Sequence, residues 1–124
     1  MNLALLKSLS EAAGVPGREE RIRQIIQKNA RDIFDKIEID PMGSLIATKR
    51  AASKDARRVL LACHIDEIGF YVKHVDEKGF LRVHNVGGFD TKNLLARRVL
   101  VQTSDGDLLG LMNPGGRPIH IAKE

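Results

Sequence analysis

The residues with the clearest chemical potential are a histidine and an aspartate separated by one position, His64 and Asp66. They follow residues 59–63, a continuous apolar run typical of a strand that is buried on both faces. Side chains two apart on a strand point to the same side, and open α/β sheets bind ligands at the carboxyl ends of their strands. A metal-bound imidazole usually donates its other ring N–H to a carboxylate. The spacing is therefore consistent with His64 as a metal ligand and Asp66 as its orienting partner, or with a chance surface pair.

The other histidines suggest a second possible site. His64, His74 and His84 are ten residues apart, and three histidines are one ligand set of catalytic zinc. A hairpin turn at residues 76–79 would pair His74 with Leu81 and His84 with Tyr71, on opposite faces of the sheet. A register shift of one residue would place both histidines on one face, but only as diagonal neighbours. Hairpin geometry therefore argues against this site.

The remaining candidates for chemistry are weaker. Cys63 lies within the apolar run, where a thiolate is disfavoured. His120 belongs to a Gly- and Pro-containing segment that is typical of a connecting loop. The Gly-Gly-Phe-Asp segment at residues 87–90 is too short for a dinucleotide fingerprint, and no P-loop sequence is present. Cysteine catalysis and nucleotide binding therefore have no support.

Two amphipathic helices are predicted ahead of the His64 segment. The first follows Asn2, a good N-cap residue, and ends at Gly-Val-Pro-Gly, residues 14–17. The second is predicted over residues 18–31, with acidic residues at its start and basic residues at its end. Their apolar residues recur at helical spacing: Leu3, Leu5, Leu6, Leu9, Ala12 and Ala13 in the first, and Ile22, Ile25, Ile26 and Ala30 in the second.

Three β-hairpins are predicted from turn residues between alternating segments. Residues 34–40 pair with 44–48 around Asp40-Pro41-Met42-Gly43, a type I turn sequence. Residues 68–75 pair with 80–85, and residues 99–103 pair with 108–112 around Asp105-Gly106. The helical period disappears near Gly69, which predicts an α/β part at residues 1–68 and a β-rich part at residues 69–124.

Composition limits the class of protein. The 124 residues are 43% apolar, with no run long enough for a membrane-spanning helix. The single cysteine excludes an internal disulfide and favours a reducing cytoplasm. The net charge of +4 is modest, and the basic run at residues 49–58 is interrupted by other residues. That run is interpreted as a solvated loop, with a phosphate or nucleic-acid contact as the alternative.

Several ordered motifs together resemble a known family. They are Leu-Ala-Cys-His-Ile-Asp-Glu-Ile-Gly-Phe at 61–70, Val-Lys-His-Val at 72–75, Lys-Gly-Phe-Leu at 78–81, Gly-Gly-Phe-Asp at 87–90 and Gly-x-x-Pro-x-His at 115–120. Residues 5–17 and 40–45 fit the same pattern. The chain resembles the amino-terminal part of the cobalt- or zinc-dependent aminopeptidases, a family that includes the glutamyl, deblocking and tetrahedral aminopeptidases and the endoglucanase M proteins.

The resemblance implies an α/β metallopeptidase catalytic layer, here partial, made of two helices, a hairpin and a buried strand. A β-barrel-like dimerisation domain, here truncated, would follow from residue 69. It further implies two divalent ions, zinc or cobalt, a peptide substrate and dimers that assemble into larger shells, without nucleic-acid or membrane partners. By analogy His64 would bind one metal ion, and Asp66 would orient His64. The resemblance implies no role for Glu67.

The family's remaining metal ligands and its general base lie after the inserted β-rich domain, beyond the motifs matched here. One histidine with one orienting aspartate cannot hold two metal ions and activate a water molecule. We therefore expect the 124-residue chain alone to bind metal weakly at most and not to hydrolyse peptides.

Two other functions remain open at this point. The β-rich half could belong to a non-catalytic protein-interaction module, whose unpaired strand edges and apolar surface promote association. A small nucleic-acid-binding barrel is the other possibility, suggested by four aromatic residues in the hairpin segments: Phe70, Tyr71, Phe80 and Phe89. Aromatic residues on strands more often belong to a core, and the helical first half has no place in such a barrel.

Overall fold

The computed structural model describes residues 2–113, and the chain divides into two compact units, Met1–Gly87 and Gly88–Glu124. The elements of the first unit are α1 (Leu3–Glu11), α2 (Glu20–Ala30), β1 (Lys36–Ile39), β2 (Leu45–Thr48), β3 (Gly69–Val75) and β4 (Leu81–Val86). The second unit contains a 3₁₀ helix (Thr91–Leu94), β5 (Arg97–Thr103) and β6 (Gly106–Met112). This mixed α/β architecture confirms the predicted fold class.

The two helices form as their apolar periodicity predicts. The side chain of Asn2 caps α1, since its Oδ1 accepts a hydrogen bond from the Leu5 amide at 3.1 Å. The Gly-Val-Pro-Gly segment separates the helices. Among the described residues, the only buried hydrophobic side chains, large or small, are Ile22 and Ala30, both on α2. The small core of the first unit therefore lies along one face of α2.

The β1–β2 hairpin confirms the predicted turn at residues 40–43. Ile39 pairs with Leu45 next to the turn, and Lys36 pairs with Thr48 at the open end. The Gly43 amide donates to the Asp40 carbonyl at 2.9 Å, and the Ser44 amide donates to the Asp40 carboxylate at 2.8 Å. Gly43 has φ +90°, a conformation that favours glycine. Local turn chemistry thus accounts for the hairpin.

The predicted buried strand at residues 59–63 is not observed, which corrects the sequence-based expectation. These residues have no regular secondary structure, and Val59, Leu60 and Leu61 are 82%, 88% and 91% exposed. A central strand needs a neighbour on each side to satisfy its backbone groups. Within residues 2–113, every strand pairs only with its hairpin partner. None of these sheets therefore provides a pairing partner for residues 59–63.

The β3–β4 hairpin contains a bulge that changes the predicted histidine register. Tyr71 pairs with His84 as expected, but His74 pairs with Arg82 because Lys73 is an extra, unpaired residue in β3. Arg82 and His84 are two residues apart on β4 and share a face. His74 and His84 therefore lie on the same face as diagonal neighbours, not on opposite faces.

The β5–β6 hairpin forms where predicted, with its turn displaced by one residue. Thr103 pairs with Gly106, so the two-residue loop is Ser104-Asp105 and not Asp105-Gly106. The Thr103 hydroxyl accepts from the Asp105 amide at 3.2 Å and donates to the Gly106 carbonyl at 2.6 Å. In the described part of the chain the strands form three separate two-stranded sheets, with no closed barrel.

Among the described residues, no helix is both long enough and apolar enough to cross a bilayer.

Candidate functional site

The candidate site consists of His64 and Asp66, in the irregular segment just before β3. The His64 Nδ1 atom lies 3.2 Å from the Asp66 Oδ1 atom and 3.1 Å from the Asp66 carbonyl oxygen. The His64 side chain is 84% exposed, while that of Asp66 is 38% exposed. The structure thus brings together the two residues that strand alternation placed side by side, although the segment is not a strand.

The contacts of Nδ1 favour one tautomer of the His64 imidazole. Both neighbouring atoms of Asp66 are hydrogen-bond acceptors, so Nδ1 is best satisfied when it carries the proton and donates. Nε2 then keeps its lone pair, and no group among residues 2–113 forms a hydrogen bond with it. A histidine that binds a metal through Nε2 has this arrangement. The pair therefore fits one ligand position together with the group that orients the ligand.

The described residues do not complete a metal site. No group of three or more His, Cys, Asp or Glu side chains within residues 2–113 is arranged to hold a metal ion. His74 and His84, although on one face of the β3–β4 hairpin, belong to no such group. His64 could therefore contribute one ligand, and any further ligands would have to come from outside the described residues.

The site segment is held in place by a loop that lies more than fifty positions earlier in the chain. The Glu67 amide donates to the Gly14 carbonyl at 2.8 Å, and the Gly14 amide donates to Glu67 Oε1 at 3.3 Å. Gly14 and Glu67 are 53 residues apart, and no periodicity or turn signal in the sequence connects them. Sequence reasoning therefore missed the structural role of Glu67.

Two further contacts bring residues 14–17 against the start of β3. The Tyr71 hydroxyl donates to the Pro16 carbonyl at 2.7 Å. Gly69 is buried against Val15, and a Cβ at Gly69 would lie only 2.0 Å from Val15 Cγ1. Together with the Glu67 contacts, these interactions fix the loop on the polypeptide that immediately follows His64 and Asp66.

The other sequence-predicted candidates are not part of this site. Cys63 is exposed and not buried in a strand. His120 and the Gly-x-x-Pro-x-His segment lie outside the described residues. Asp35 is not part of the candidate site either: the Arg50 backbone N–H, with help from the Lys49 ammonium, lowers the pKa of its carboxyl.

Comparisons with known proteins agree on one family. A sequence model described as M42 glutamyl aminopeptidase matches residues 43–124. The lysyl aminopeptidase of Pyrococcus furiosus is 34% identical over 121 residues, which are 97% of this chain and 34% of that relative. The TET aminopeptidase of a marine sediment Thaumarchaeota archaeon has a similar structure, with a TM-score of 0.85 and 33% identity over 98% of this chain and 33% of that one.

A third relative is similar over the same extent. The TET1 peptidase of Pyrococcus horikoshii, described as able to assemble into a tetrahedron or a large octahedral shell, has a TM-score of 0.81 and 31% identity, with 98% of this chain and 36% of that chain covered. The chain thus spans about a third of the length of these relatives. Because the family model matches well over half of its residues, the chain belongs to the M42 glutamyl aminopeptidase family.

Proposed function

We propose that the full-length gene product containing this chain is a metal-dependent aminopeptidase that removes amino-terminal residues from peptides. Family membership supports this activity. The observation within the structure that supports it most directly is the contact of His64 Nδ1 with both acceptors of Asp66, since it leaves Nε2 available for a divalent ion.

In this proposal His64 is a metal ligand and Asp66 is a positioning residue. Asp66 accepts the Nδ1 proton and so restricts both the tautomer and the rotation of the imidazole ring. Bound divalent ions, zinc or cobalt, would supply Lewis-acid polarisation of the scissile carbonyl and a nucleophilic water. One imidazole discriminates little between these metals, so the choice between zinc and cobalt depends on other ligands.

The described residues alone are not sufficient for this chemistry. A site with two metal ions needs several carboxylate and imidazole ligands and a base, and residues 2–113 contain no group of three such side chains in position. We therefore propose that the 124-residue chain by itself is inactive toward peptides. By the same reasoning its metal affinity is weak.

We further propose a cytoplasmic homo-oligomer, without nucleic-acid or membrane partners. The relative from Pyrococcus horikoshii supports the oligomer, because it can assemble into a tetrahedron or a large octahedral shell. The absence of disulfide chemistry from a chain with one cysteine supports the cytoplasmic location. The proposed boundary between the catalytic and β-rich domains is residue 69; the β3–β4 hairpin that follows it is part of the first compact unit of this structure.

The proposed activity is tested with the full-length gene product and its His64→Ala variant. Hydrolysis of aminoacyl nitroanilides and tightly bound metal are measured together, before and after chelator treatment. We expect the variant to lose at least tenfold in activity and to bind less metal. His74→Ala, which removes an exposed histidine that takes no part in the site, is the matched control. Full activity and metal content in His64→Ala would refute the assignment.

One observation favours a second candidate, a protein-interaction module. The described residues expose many large apolar side chains, including Leu60, Leu61, Leu108, Leu109 and Leu111. Contiguous apolar surface, where exposed side chains of this kind adjoin, is typical of a face that another chain covers. Sedimentation of the purified chain separates the two candidates: stable association without any bound metal favours the module, and a monomer with weak metal binding favours the aminopeptidase segment.

A further inference from the structure

We propose that Glu67 is a positioning residue, which fastens the His64–Asp66 segment to the loop at residues 14–17 and thereby selects the His64 nitrogen that remains free for a metal. This inference rests on the proposed role of His64 as a ligand. It assigns a role to a residue that neither the resemblance nor the spacing of the sequence explains.

The peptide group between Asp66 and Glu67 is the centre of the arrangement. Its carbonyl oxygen accepts from His64 Nδ1 at 3.1 Å, and its N–H donates to the Gly14 carbonyl at 2.8 Å. A peptide group is planar, so the direction of its N–H also sets the direction of its carbonyl. The bond to Gly14 therefore orients the same carbonyl that holds the His64 ring.

The Glu67 side chain supplies a second bond between the same two residues. Its Oε1 accepts from the Gly14 amide at 3.3 Å, so Gly14 and Glu67 are joined in both directions. A hydrogen bond from an N–H to a carboxylate is stronger than one between neutral groups. Since Glu67 itself is exposed, each bond alone competes with water, and the pair of bonds restricts rotation more than either one.

Gly14 packs against the hydrophobic core of the first unit. Gly14 is buried, and a Cβ at this position would lie 3.1 Å from Ile22 Cγ2. Ile22 is one of the two buried apolar side chains of α2. A continuous series of contacts therefore leads from the core of α2, through Gly14 and Glu67, to the peptide that holds the His64 ring.

Tyr71 provides a matched control, because it fastens the same loop at another point. Its hydroxyl donates to the Pro16 carbonyl at 2.7 Å and does not contact the Asp66–Glu67 peptide. Tyr71→Phe weakens the attachment of the loop in general, whereas Glu67→Ala weakens the attachment of that peptide. Glu67→Gln keeps a side-chain oxygen that can accept from the Gly14 amide, so it is the conservative variant.

The first measurement is the tautomer of His64 in the metal-free 124-residue chain. Long-range ¹H–¹⁵N spectra of histidine-labelled protein at about pH 8 distinguish a proton on Nδ1 from a proton on Nε2. We expect a dominant Nδ1–H form in the parent chain, in Glu67→Gln and in Tyr71→Phe. We expect a mixture of the two tautomers in Glu67→Ala.

The second measurement is the zinc or cobalt affinity of the full-length gene product, by titration against a competing chelator. Glu67→Ala should weaken it by about tenfold, the lower end of the effect of groups that orient metal ligands. Glu67→Gln should stay within about twofold, and so should Tyr71→Phe. If Glu67→Ala does not fold, as judged by circular dichroism, Glu67→Met keeps the side-chain length without the acceptor and should show the same losses.

Two results would overturn the proposal. One is an unchanged tautomer and affinity in a folded Glu67 variant that lacks the acceptor. The other is an equal loss in Tyr71→Phe, which would show that general loosening of the loop is responsible. Because the tautomer is read without metal or substrate, it tests Glu67 even if the full-length protein proves to lack aminopeptidase activity.

Discussion

Gly69 lies directly against Val15, so closely that a Cβ on Gly69 would be 2.0 Å from Val15 Cγ1 and 3.1 Å from Val15 Cβ. The two positions meet where the loop between the helices touches the start of β3. Neither residue has a reactive side chain, but their contact determines how closely the loop approaches the polypeptide that follows Asp66. No side chain larger than hydrogen fits at position 69 unless the Val15 side chain or the backbone shifts.

Gly69→Ala is therefore expected to lower the free energy of unfolding by about 1–3 kcal/mol, the usual effect of overpacking. The double variant Val15→Ala with Gly69→Ala should recover most of this loss, because it removes the Cγ1 atom that would clash. Gly88→Ala is the control, since a Cβ there meets nothing within 4 Å. Urea denaturation of Val15→Ala, Gly69→Ala, the double variant and Gly88→Ala gives all four values, and strictly additive effects at positions 15 and 69 would contradict the contact.

Arg23 connects α2 to the β1–β2 turn. Its Nη1 donates to the Gly43 carbonyl at 2.9 Å and to the Glu19 carboxylate at 3.3 Å, and its side chain is only 12% exposed. Arg23→Met keeps an apolar stem but leaves both acceptors without this donor, for an expected loss of about 1–3 kcal/mol. Arg58→Met, at an exposed position, should change stability by less than about 0.5 kcal/mol. Equal urea midpoints for the two variants would contradict the role of Arg23.

Asp35 is expected to make stability depend on pH in the acid range. The Arg50 amide donates to Asp35 Oδ2 at 2.6 Å and Lys49 Nζ lies 3.3 Å from Oδ1, and these contacts lower the pKa of the carboxyl. A group whose pKa is lower in the folded state stabilises the fold above its unfolded pKa of about 3.9. That contribution is lost as the pH falls through the lower folded value.

Asp35→Asn should therefore be less stable than the parent at neutral pH, and the difference should shrink as the pH is lowered below about 4. Urea midpoints measured from neutral to acid pH test this. Asp55→Asn, an exposed aspartate in the loop after β2, is the control. A difference between Asp35→Asn and the parent that stays constant down to the lowest pH would contradict the prediction.

The N-cap of α1 is expected to make a measurable contribution to stability. Asn2→Ala removes the acceptor of the Leu5 amide, with an expected loss of about 1 kcal/mol. Asn2→Asp keeps an oxygen in the same place and adds a charge that suits a helix amino terminus, so it should be at least as stable as the parent. Hydrogen exchange at the Leu5 amide is the most direct readout. Unchanged exchange in Asn2→Ala would show that the cap does not protect it.

The features that the sequence predicts well are those that depend on neighbouring residues. Asn2 as a cap and Asp40 as the first residue of a turn act within four positions of themselves, so their signals are local. His64 and Asp66 are also close in the chain, and their spacing of two residues keeps them near each other whether or not the segment joins a sheet. Their proximity was therefore predictable even though the strand was not.

The features that the sequence does not predict depend on distant partners. The apolar run at residues 59–63 has the composition of a central strand, but a strand forms only where another strand accepts its hydrogen bonds. The hydrogen bond between Gly14 and Glu67 spans 53 positions and involves a backbone group. No side-chain pattern in the sequence predicts such a bond. The bulge at Lys73 likewise depends on pairing with β4, and no turn residue in the sequence predicts it.

That bulge also has a consequence for changes in chain length. Inserting or deleting one residue in a strand normally moves all following side chains to the other face. In β3 the extra residue, Lys73, stands out of the ladder while the pairs on both sides of it, from Tyr71–His84 to Val75–Leu81, keep their partners. Deleting Lys73 would join these two stretches into one regular ladder around an unchanged turn. The β3–β4 hairpin is therefore a place where we expect this chain to lose a single residue without a change in the pairing of the neighbouring residues.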